Sequence, residues 1–459
     1  MRRLHKPPSE SQRLTQRGGW ELVRAPVGPA ALEWVPCRDS IRGGSTAKIG
    51  LLEASLLGCL ERRIVEQRLC LSTSDRGVSD TLGKPKDAAK QLARGAGSGL
   101  RGAARRFRPS RITEELPERG QLTSGAVVSV DTSTAAFVGA PAAGAPSQPV
   151  ALTSFVDYER VFGSTNGELG RAVRLFFENG GTRAYAVRGS HGLADGLSAL
   201  GGVRFALLAL PDSAGLDPQE AAELSAAANE TCERCQAFLL VDPPAALAPA
   251  DVEAWTGDIG PASNAAVYVP RLRLADGSET AASGAVAGVM ARTDRDRGVW
   301  RAAAGSMASV RGVADVTVTL TDEEVDRVTV DGVNVIRRLP QGLVVWGART
   351  LALSEPVWQY VNVRRLALFL ERSIREGTRW AAFEPNGEVL WSEVRGAVDE
   401  FMLTLFQQGA FGGRTPEDAY FVRCDRTTMT QDDIDAGRLI IRVGFAPVPP
   451  AEFISLRIG

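Results

Sequence analysis

Few residues in this sequence have the side chains that catalysis needs. After position 120 the chain contains one histidine, His191, and no lysine. The missing lysines exclude a Walker A phosphate loop, a Schiff-base lysine and a lysine general base from this part of the chain. His191 lies in a predicted loop, GSHG, so a Ser-His-Asp triad would have a single base in a flexible setting. These residues do not favour a hydrolytic site.

Three further motifs resemble binding sites in spelling but lack the setting that such sites need. Residues 97–102 (GSGLRG) match the dinucleotide fingerprint, but no predicted strand precedes them. Cys232 and Cys235 form a CxxC without a second pair or a nearby histidine, which indicates a core or surface thiol pair rather than a zinc site. Asp212 and Asp242 follow predicted strands at the carboxyl edge of a sheet, where capping explains both. The sequence therefore predicts no cofactor and no metal.

The segment RTDRDR, residues 292–297, alternates arginine with aspartate. Asp294 and Asp296 have the spacing of a carboxylate pair, but the interleaved arginines would hold both ionised and neutralise them. We therefore predict an ion-paired turn or subunit contact made by Arg292, Asp294, Asp296 and Arg297. This interpretation leaves the chain without a catalytic residue.

The overall composition is that of an ordinary globular protein. The chain has 459 residues, of which 44% are hydrophobic and 23% charged, enough for two or three domains. A net charge of -1 gives no global attraction to nucleic acid or to an anionic membrane. The six cysteines are too scattered to predict a disulfide framework, which fits a reducing compartment. No signal peptide and no membrane span are expected.

Charge divides the chain at about residue 120. Residues 1–120 hold 23 Lys+Arg and 13 Asp+Glu, which leaves 30 and 41 for residues 121–459, and all five lysines lie in the first part. Because residues 1–120 also lack periodicity, we predict a basic, poorly ordered N-terminal extension. The basic run at 94–111 has two interpretations, a solvated tail or an arm that binds nucleic acid or another anionic surface.

Residues 121–338 predict an α/β domain. Apolar runs of strand length alternate with helical patterns, and the helix at 168–179 ends before Gly180-Gly181. A second helix begins at Asp217-Pro218, a cap before a first-turn proline. The predicted strands lie at 127–138, 184–187, 205–210, 237–241 and 265–269. This alternation is typical of a mostly parallel sheet with helices on both faces.

The C-terminal part, residues 339–445, predicts an α+β domain. The predicted helices cover 358–375 and 389–407, and the predicted strands cover 379–383, 420–424 and 439–445, with a final predicted strand at 453–458 beyond the domain. Residues 446–450 (APVPP) contain three prolines, so they form a stiff spacer before the final strand. We predict that residues 446–459 form a linking arm whose strand pairs with a neighbouring subunit. Its interface residues would be Phe453, Ile454, Leu456 and Ile458.

Several segments of residues 127–459 resemble one known family, the contractile tail sheath proteins. The segments are VDTSTAAFVG from Val130, FFENGGTRAYAVR from Phe176, AGVMARTDRDRGVW from Ala287, LPQGLVVWGARTLA from Leu339, FEPNGEVLW from Phe383 and YFVRCDRTTMTQDDIDAGRL from Tyr420. The C-terminal segments look most like the sheaths of extracellular injection systems. Residues 1–120 have no counterpart in this resemblance.

The resemblance implies a subtilisin-like α/β domain without a protease site, a C-terminal α+β domain and an extended C-terminal strand arm. It also implies hexameric rings that stack as a helical polymer around an inner tube protein and contract without a nucleotide. Baseplate and tail-terminator proteins would be further partners, with no nucleic acid and no membrane insertion. Assembly would take place in the cytoplasm, before the subunit becomes part of a phage tail or a phage-like particle.

Two other function classes remain open on the residues alone. An α/β hydrolase is suggested only by fold class, and a nucleic-acid-binding module only by the basic N-terminal segment. The predicted helix at 389–407 also has two interpretations. Its face with Glu393, Arg395, Asp399 and Glu400 is either a contact with the tube or an ordinary solvated face.

Overall fold

The structure, a computed structural model, describes residues 125–163, 166–190, 192–248, 251–352 and 354–450, and the backbone of residues 20–24 and 32–36. Strands and helices alternate along most of this chain. The strands are β1 (Trp20–Arg24), β2 (Leu32–Pro36), β3 (Ala135–Gly139), β4 (Val150–Leu152), β5 (Ala184–Arg188), β6 (Leu207–Ala209), β7 (Phe238–Val241), β8 (Ala265–Val269), β9 (Leu272–Arg273), β10 (Glu279–Thr280), β11 (Asp315–Val316), β12 (Val333–Leu339), β13 (Gly342–Val345), β14 (Tyr420–Arg423) and β15 (Arg442–Phe445).

Helices lie on both faces of the largest sheet. The helices are α1 (Phe155–Phe162), α2 (Glu168–Glu178), α3 (Leu193–Ala199), α4 (Pro218–Cys235), α5 (Val252–Ile259), α6 (Ser283–Arg297), α7 (Asp322–Val330), α8 (Val361–Gly377), α9 (Glu388–Gln407), α10 (Pro416–Ala419) and α11 (Gln431–Asp435), with 3₁₀ turns at Leu200–Gly202, Pro211–Gly215 and Arg379–Phe383. No helix in the described ranges has the length and apolarity needed to span a membrane.

Eight strands form the large sheet in the order β13-β12-β8-β7-β6-β3-β5-β4. The six inner strands are parallel to their neighbours, and the edge strands β4 and β13 pair antiparallel. The predicted α/β class is confirmed. The predicted boundary between the two domains, at residue 338, falls inside the hairpin of β12 and β13. The strand β13 is the edge strand of the large sheet. The α/β part therefore extends to Val345.

Alternate side chains of each strand enter two separate cores, as the two-residue period of a strand requires. Phe137 of β3 packs with α1, α2 and α6 on one face. Val138 packs with α3, α4, α5 and α7 on the other face. The sheet thus separates α6 from α4 and α5.

Local sequence signals explain where several helices begin and end. The side chain of Asp217 accepts bonds from the N–H groups of the first turn of α4, and Pro218 needs no such bond. The helix α4 ends at Cys235, and the next residue, Gln236, is left-handed with φ 55°. Capping boxes at Ser154 and Thr321 begin α1 and α7.

Glycines let α2 and α6 pack at close range. A Cβ on Gly284 would lie 2.3 Å from the carbonyl oxygen of Ala172, and one on Gly288 would lie 2.4 Å from that of Phe176. Larger residues at either position would push the helices apart. This packing brings the C-terminal end of α6 next to the C-terminal end of α2.

The C-terminal part has its own core around α8 and α9. A four-stranded antiparallel sheet accompanies it, in the order β14-β15-β1-β2. The strands β1 and β2 lie within residues 1–120, so these ten residues depart from the predicted poorly ordered extension. They add to the sheet because β15 otherwise has an unpaired edge. The possibility of a domain boundary near residue 120 stays a prediction.

Three predicted elements differ from the structure. The predicted strand at 127–138 is a strand only from Ala135, because the side chain of Asp131 binds the N–H groups of Ser133 and Thr134 and holds a turn. The predicted strand at 379–383 is a 3₁₀ turn that continues from α8, with Ala381 N–H donating to Thr378. The predicted strand at 439–445 begins only at Arg442. The predicted strand at 453–458 lies outside the described residues.

Candidate functional site

The carboxyl edge of the large sheet, where α/β folds bind ligands, is occupied by a buried polar cluster. Glu168 at the start of α2 forms ion pairs with Arg271 and, at 3.2 Å, with Arg171. It also accepts hydrogen bonds from the hydroxyl of Thr280 and the N–H of Ala281, both 2.9 Å. Burial opposes ionisation, but the bonds from Ala281 and Arg271 outweigh it, so the pKa of Glu168 is lowered. The carboxylate is saturated by partners from its own chain.

The two aspartates predicted as caps lie at the same edge and do bind backbone N–H groups. Asp242 follows β7 and accepts from Ser283 N–H at 3.0 Å, at the first turn of α6. Asp212 accepts from Ala140 N–H at 3.2 Å. Burial raises the pKa of Asp242 to about 6 and raises that of Asp212 above its usual value. Both cap distant segments rather than the helix or turn that follows each in sequence.

The other candidates for chemistry are not assembled into a site. Within the described ranges no three His, Cys, Asp or Glu side chains are placed to hold a metal ion. Cys232 is fully buried at the end of α4, and burial raises the pKa of its thiol well above the ordinary value. Cys235 is partly exposed one turn away. His191 lies outside the described residues.

The aspartates of the RTDRDR segment have different partners, and the segment is the last part of α6 rather than a turn. Asp294 is buried and binds Arg365 of α8 through both oxygens, at 3.0 and 2.6 Å. Thr132 adds a hydroxyl bond to Asp294 at 2.7 Å, and its carbonyl accepts from Arg365 at 3.0 Å. Burial raises the pKa of Asp294, and the guanidinium opposes that effect. This cluster joins the α/β part to α8.

The remaining residues of that segment lie at the surface or along it. Asp296 pairs with Arg295 at 3.1 Å, and both side chains are about half exposed. The guanidinium of Arg292 donates to the backbone oxygens of Asn179 (2.7 Å) and Ser309 (2.6 Å). Arg297 is exposed. The four residues predicted as one ion-pair set are thus divided, and the partner of Asp294 is Arg365 instead of a neighbouring arginine.

Sequence reasoning missed Arg365 and Arg271, the cations of the two buried clusters. Arg365 had a recognisable signal, because it lies in the apolar run VNVRRLALFL of α8, where an arginine is buried only if it is paired. Arg271 had no such signal in the sequence, since it lies in the short loop between β8 and β9, where an arginine is usually exposed.

The helix α9 presents the surface predicted as a tube contact. Glu393, Asp399 and Glu400 are exposed and Arg395 is half-buried. Two apolar side chains near its start are also exposed, Phe383 at 91% and Val389 at 76%. Exposed apolar surface rimmed by polar side chains is a feature of contact surfaces.

The proline spacer begins on its own chain. Ala446 N–H donates to Ala419 (2.8 Å), and the carbonyl of Ala446 accepts from Gly412 N–H (2.9 Å). The carbonyl of Val448 accepts from the side chain of Asn362 at 3.1 Å. Residues Phe453, Ile454, Leu456 and Ile458 of the predicted arm strand lie outside the described residues.

Two family models match the chain in succession. Residues 186–351 match the phage tail sheath protein central domain, and residues 354–459 match the phage tail sheath C-terminal domain. Among characterised relatives, the tail sheath protein of Vibrio phage KVP40 is 25% identical over 239 residues, which are 48% of this chain and 35% of that protein. The chain therefore spans about a third of that relative. A putative prophage major tail sheath protein of Pseudomonas aeruginosa is 26% identical, over 70% of this chain and 87% of that protein.

Solved structures of sheath proteins are also similar to this chain, and the similarity covers nearly the full length of the matched chains. The helical sheath of the anti-feeding prophage in its contracted state has 34% identity and a TM-score of 0.64, over 73% of this chain and 95% of that one. The sheath complex of PVC, an extracellular contractile injection system, in its contracted state has 29% identity and a TM-score of 0.62, over 80% and 98%.

Proposed function

This chain belongs to the family of tail sheath proteins of contractile injection systems, and we propose that it assembles as stacked hexameric rings around an inner tube. The helical polymer contracts and drives the tube through a target envelope. The single observation that carries this proposal is the likeness to the contracted sheath of the anti-feeding prophage, which extends over 95% of that chain.

The α/β part corresponds, in this proposal, to a subtilisin-like domain that has no protease function. Support comes from the carboxyl edge of the large sheet, where a hydrolase would need accessible groups. There Glu168, which is partly buried, and Asp242, which is buried, bind partners from their own chain. The alternative, an α/β hydrolase, would be favoured if a serine-directed activity probe labelled one residue of the purified protein.

Residues 446–459 act as a linking arm between subunits. The spacer starts from fixed contacts at Ala446 and Val448. Beyond it, Ile454, Leu456 and Ile458 alternate with more polar residues, the pattern of a strand with one apolar face. In the described part of the chain the edges of the C-terminal sheet are β14 and β2, and such an edge accepts a strand from a neighbour. An exchanged strand keeps neighbouring subunits joined while they rotate.

The surface of α9 contacts the inner tube. Phe383 and Val389 are the two most exposed large apolar side chains of this part, and burial against a partner removes them from water. Glu393 and Glu400 lie seven residues apart on one stripe of the helix, where they add charge selectivity. Baseplate and tail-terminator proteins bind the ends of the polymer, which is assembled in the cytoplasm.

Negative-stain microscopy of the full-length chain, expressed alone and with its tube protein, tests this function. We expect striated or short hollow cylinders. Uniform small particles in both preparations, at protein concentrations where the fold is intact, would contradict the proposal. Salt-sensitive binding to DNA under the same conditions would favour the nucleic-acid-binding alternative instead.

A further inference from the structure

We propose that an arginine-lined cavity at the C-terminal end of α6 binds the acidic outer surface of α4 and α5 of a second copy of this chain. The cavity, called here the arginine cavity, is lined by Arg292, Asp296, Arg297, Ser309 and Arg311 among others. The acidic surface is called the acidic face. This inference rests on the proposed function, because it needs the chain to assemble with itself.

The arginine cavity has a positive charge that its own chain does not neutralise. It measures about 390 Å³ and has three arginines and one carboxylate in its wall. That carboxylate, Asp296, is already paired with Arg295. Arg292 donates to backbone carbonyls, and no carboxylate in the described ranges forms an ion pair with Arg297 or Arg311.

The wall of the cavity is held in place by a buried asparagine. Asn179 is inaccessible to solvent, and its amide donates to the carbonyl oxygens of Leu175 (2.9 Å) and Arg311 (3.0 Å). Its side-chain oxygen accepts from Arg311 N–H at 2.8 Å, and its backbone oxygen accepts from Arg292. Burial and the nearby charge of Arg311 lower the pKa of Arg292. The guanidinium of Arg292 and the backbone at Arg311 are thus positioned before any partner binds, which reduces the entropy lost on binding.

The acidic face has the opposite charge in excess. Between Pro211 and Pro270 the chain has ten acidic residues and a single basic one, Arg234. The helices α4 and α5 pack against each other. Their exposed carboxylates are Glu220, Glu223, Glu230, Glu233, Glu253 and Asp258. None of these six forms an ion pair with an arginine in the part of the chain that the structure describes.

The two surfaces lie on opposite faces of the large sheet. The helix α6 belongs to one core and α4 with α5 to the other, so the surfaces cannot contact each other within one chain. A head-to-tail contact between copies brings them together and leaves one of each free for the next copy. Such a heterologous interface generates rings or helical polymers. Charge complementarity also fixes the register of the contact and excludes copies packed face to like face.

Charge reversal tests the pairing. The double variant Arg297→Glu with Arg311→Glu reverses the cavity, and Glu223→Arg with Glu230→Arg reverses the face. Both pairs are exposed, so the melting temperature should not change. Each double variant should raise the protein concentration needed for pelletable assembly about tenfold, and the quadruple variant should restore it. Arg414→Glu, an exposed arginine outside both surfaces, is the matched control and should have no effect.

Two results would overturn the inference. One is unchanged assembly of either double variant while the unmodified chain assembles. The other is loss of assembly that the quadruple variant does not restore. Failure of the unmodified chain to assemble at any salt concentration would instead count against the proposed function itself. Assembly that weakens as salt rises supports the pairing, because exposed charges are screened.

Discussion

The carboxyl edge of the large sheet and the arginine cavity both concentrate charged side chains, but they differ in what those side chains contact. At the edge, Glu168 is partly buried and Asp242 is buried, and both bind groups of their own chain. At the cavity, Arg297 and Arg311 are exposed. Charges inside this fold therefore contribute to its stability, and unpaired charges outside it are available for partners. Substitutions in the two regions should separate stability from assembly.

The largest effect on stability is expected at Asp294. Asp294→Ala leaves the buried guanidinium of Arg365 without its carboxylate, which should lower the free energy of unfolding by about 3–5 kcal/mol. The matched control is Asp296→Ala, two residues away, where the pair with Arg295 is exposed and the loss should stay within about 0.5 kcal/mol. Urea unfolding of both variants measures the difference. Similar losses of stability in the two variants would show that the buried pair of Asp294 and Arg365 contributes no more than an exposed pair.

A smaller, pH-dependent effect is expected at Asp242. Its folded pKa of about 6 exceeds the usual value of 3.8, so the folded state binds the proton more tightly than the unfolded state. The protonated form therefore stabilises the fold at low pH, and this contribution is lost as the pH rises from about 4 to above 6. The full span is about 3 kcal/mol.

The variant Asp242→Asn should remove that pH dependence because its amide does not titrate. The amide oxygen can still accept from Ser283 N–H, so the hydrogen bond is kept. The free energy of unfolding, measured from pH 4 to 7, should fall with rising pH more steeply in the unmodified protein than in the variant. Parallel curves would mean that the carboxyl of Asp242 does not titrate in this range.

The smallest effect on stability is expected in the arm. Leu456→Asp places a charge on the apolar side of the predicted strand and should leave the melting temperature of the free subunit unchanged while it reduces the yield of cylinders. Ser455→Asp introduces the same charge on the other side and should assemble normally. Equal losses of assembly in both variants would contradict the strand pattern.

Local signals were sufficient to predict much of the fold. The cap at Asp217 placed the start of α4, the stop at Gly180 placed the end of α2 within one residue, and strand 265–269 was predicted in full. Turns held by side chains were harder to predict. The carboxylate of Asp131 holds a turn in a run of residues that is otherwise typical of a strand.

The buried clusters could not be predicted, because their members are far apart in sequence. Asp294 and Arg365 are separated by 71 residues, and Glu168 and Arg271 by 103. Near Asp294 the closest cations in sequence were misleading, since Arg295 turns to Asp296 and to the carbonyl of Gly180. Only the tertiary fold, which brings Arg365 of α8 to Asp294 of α6, selects the partner.

Removal of residues 451–459 tests most directly whether the C-terminal segment of this chain serves assembly while its interior serves stability. The cut after Pro450 keeps the contacts of Ala446 and Val448 with their own chain. The shortened protein, expressed with its tube protein and compared with the full-length chain by thermal unfolding and negative-stain microscopy, should melt at the same temperature but form no cylinders. Normal cylinders, or a melting temperature that falls substantially, would contradict the account, because the segment would then be dispensable or part of its own subunit's fold.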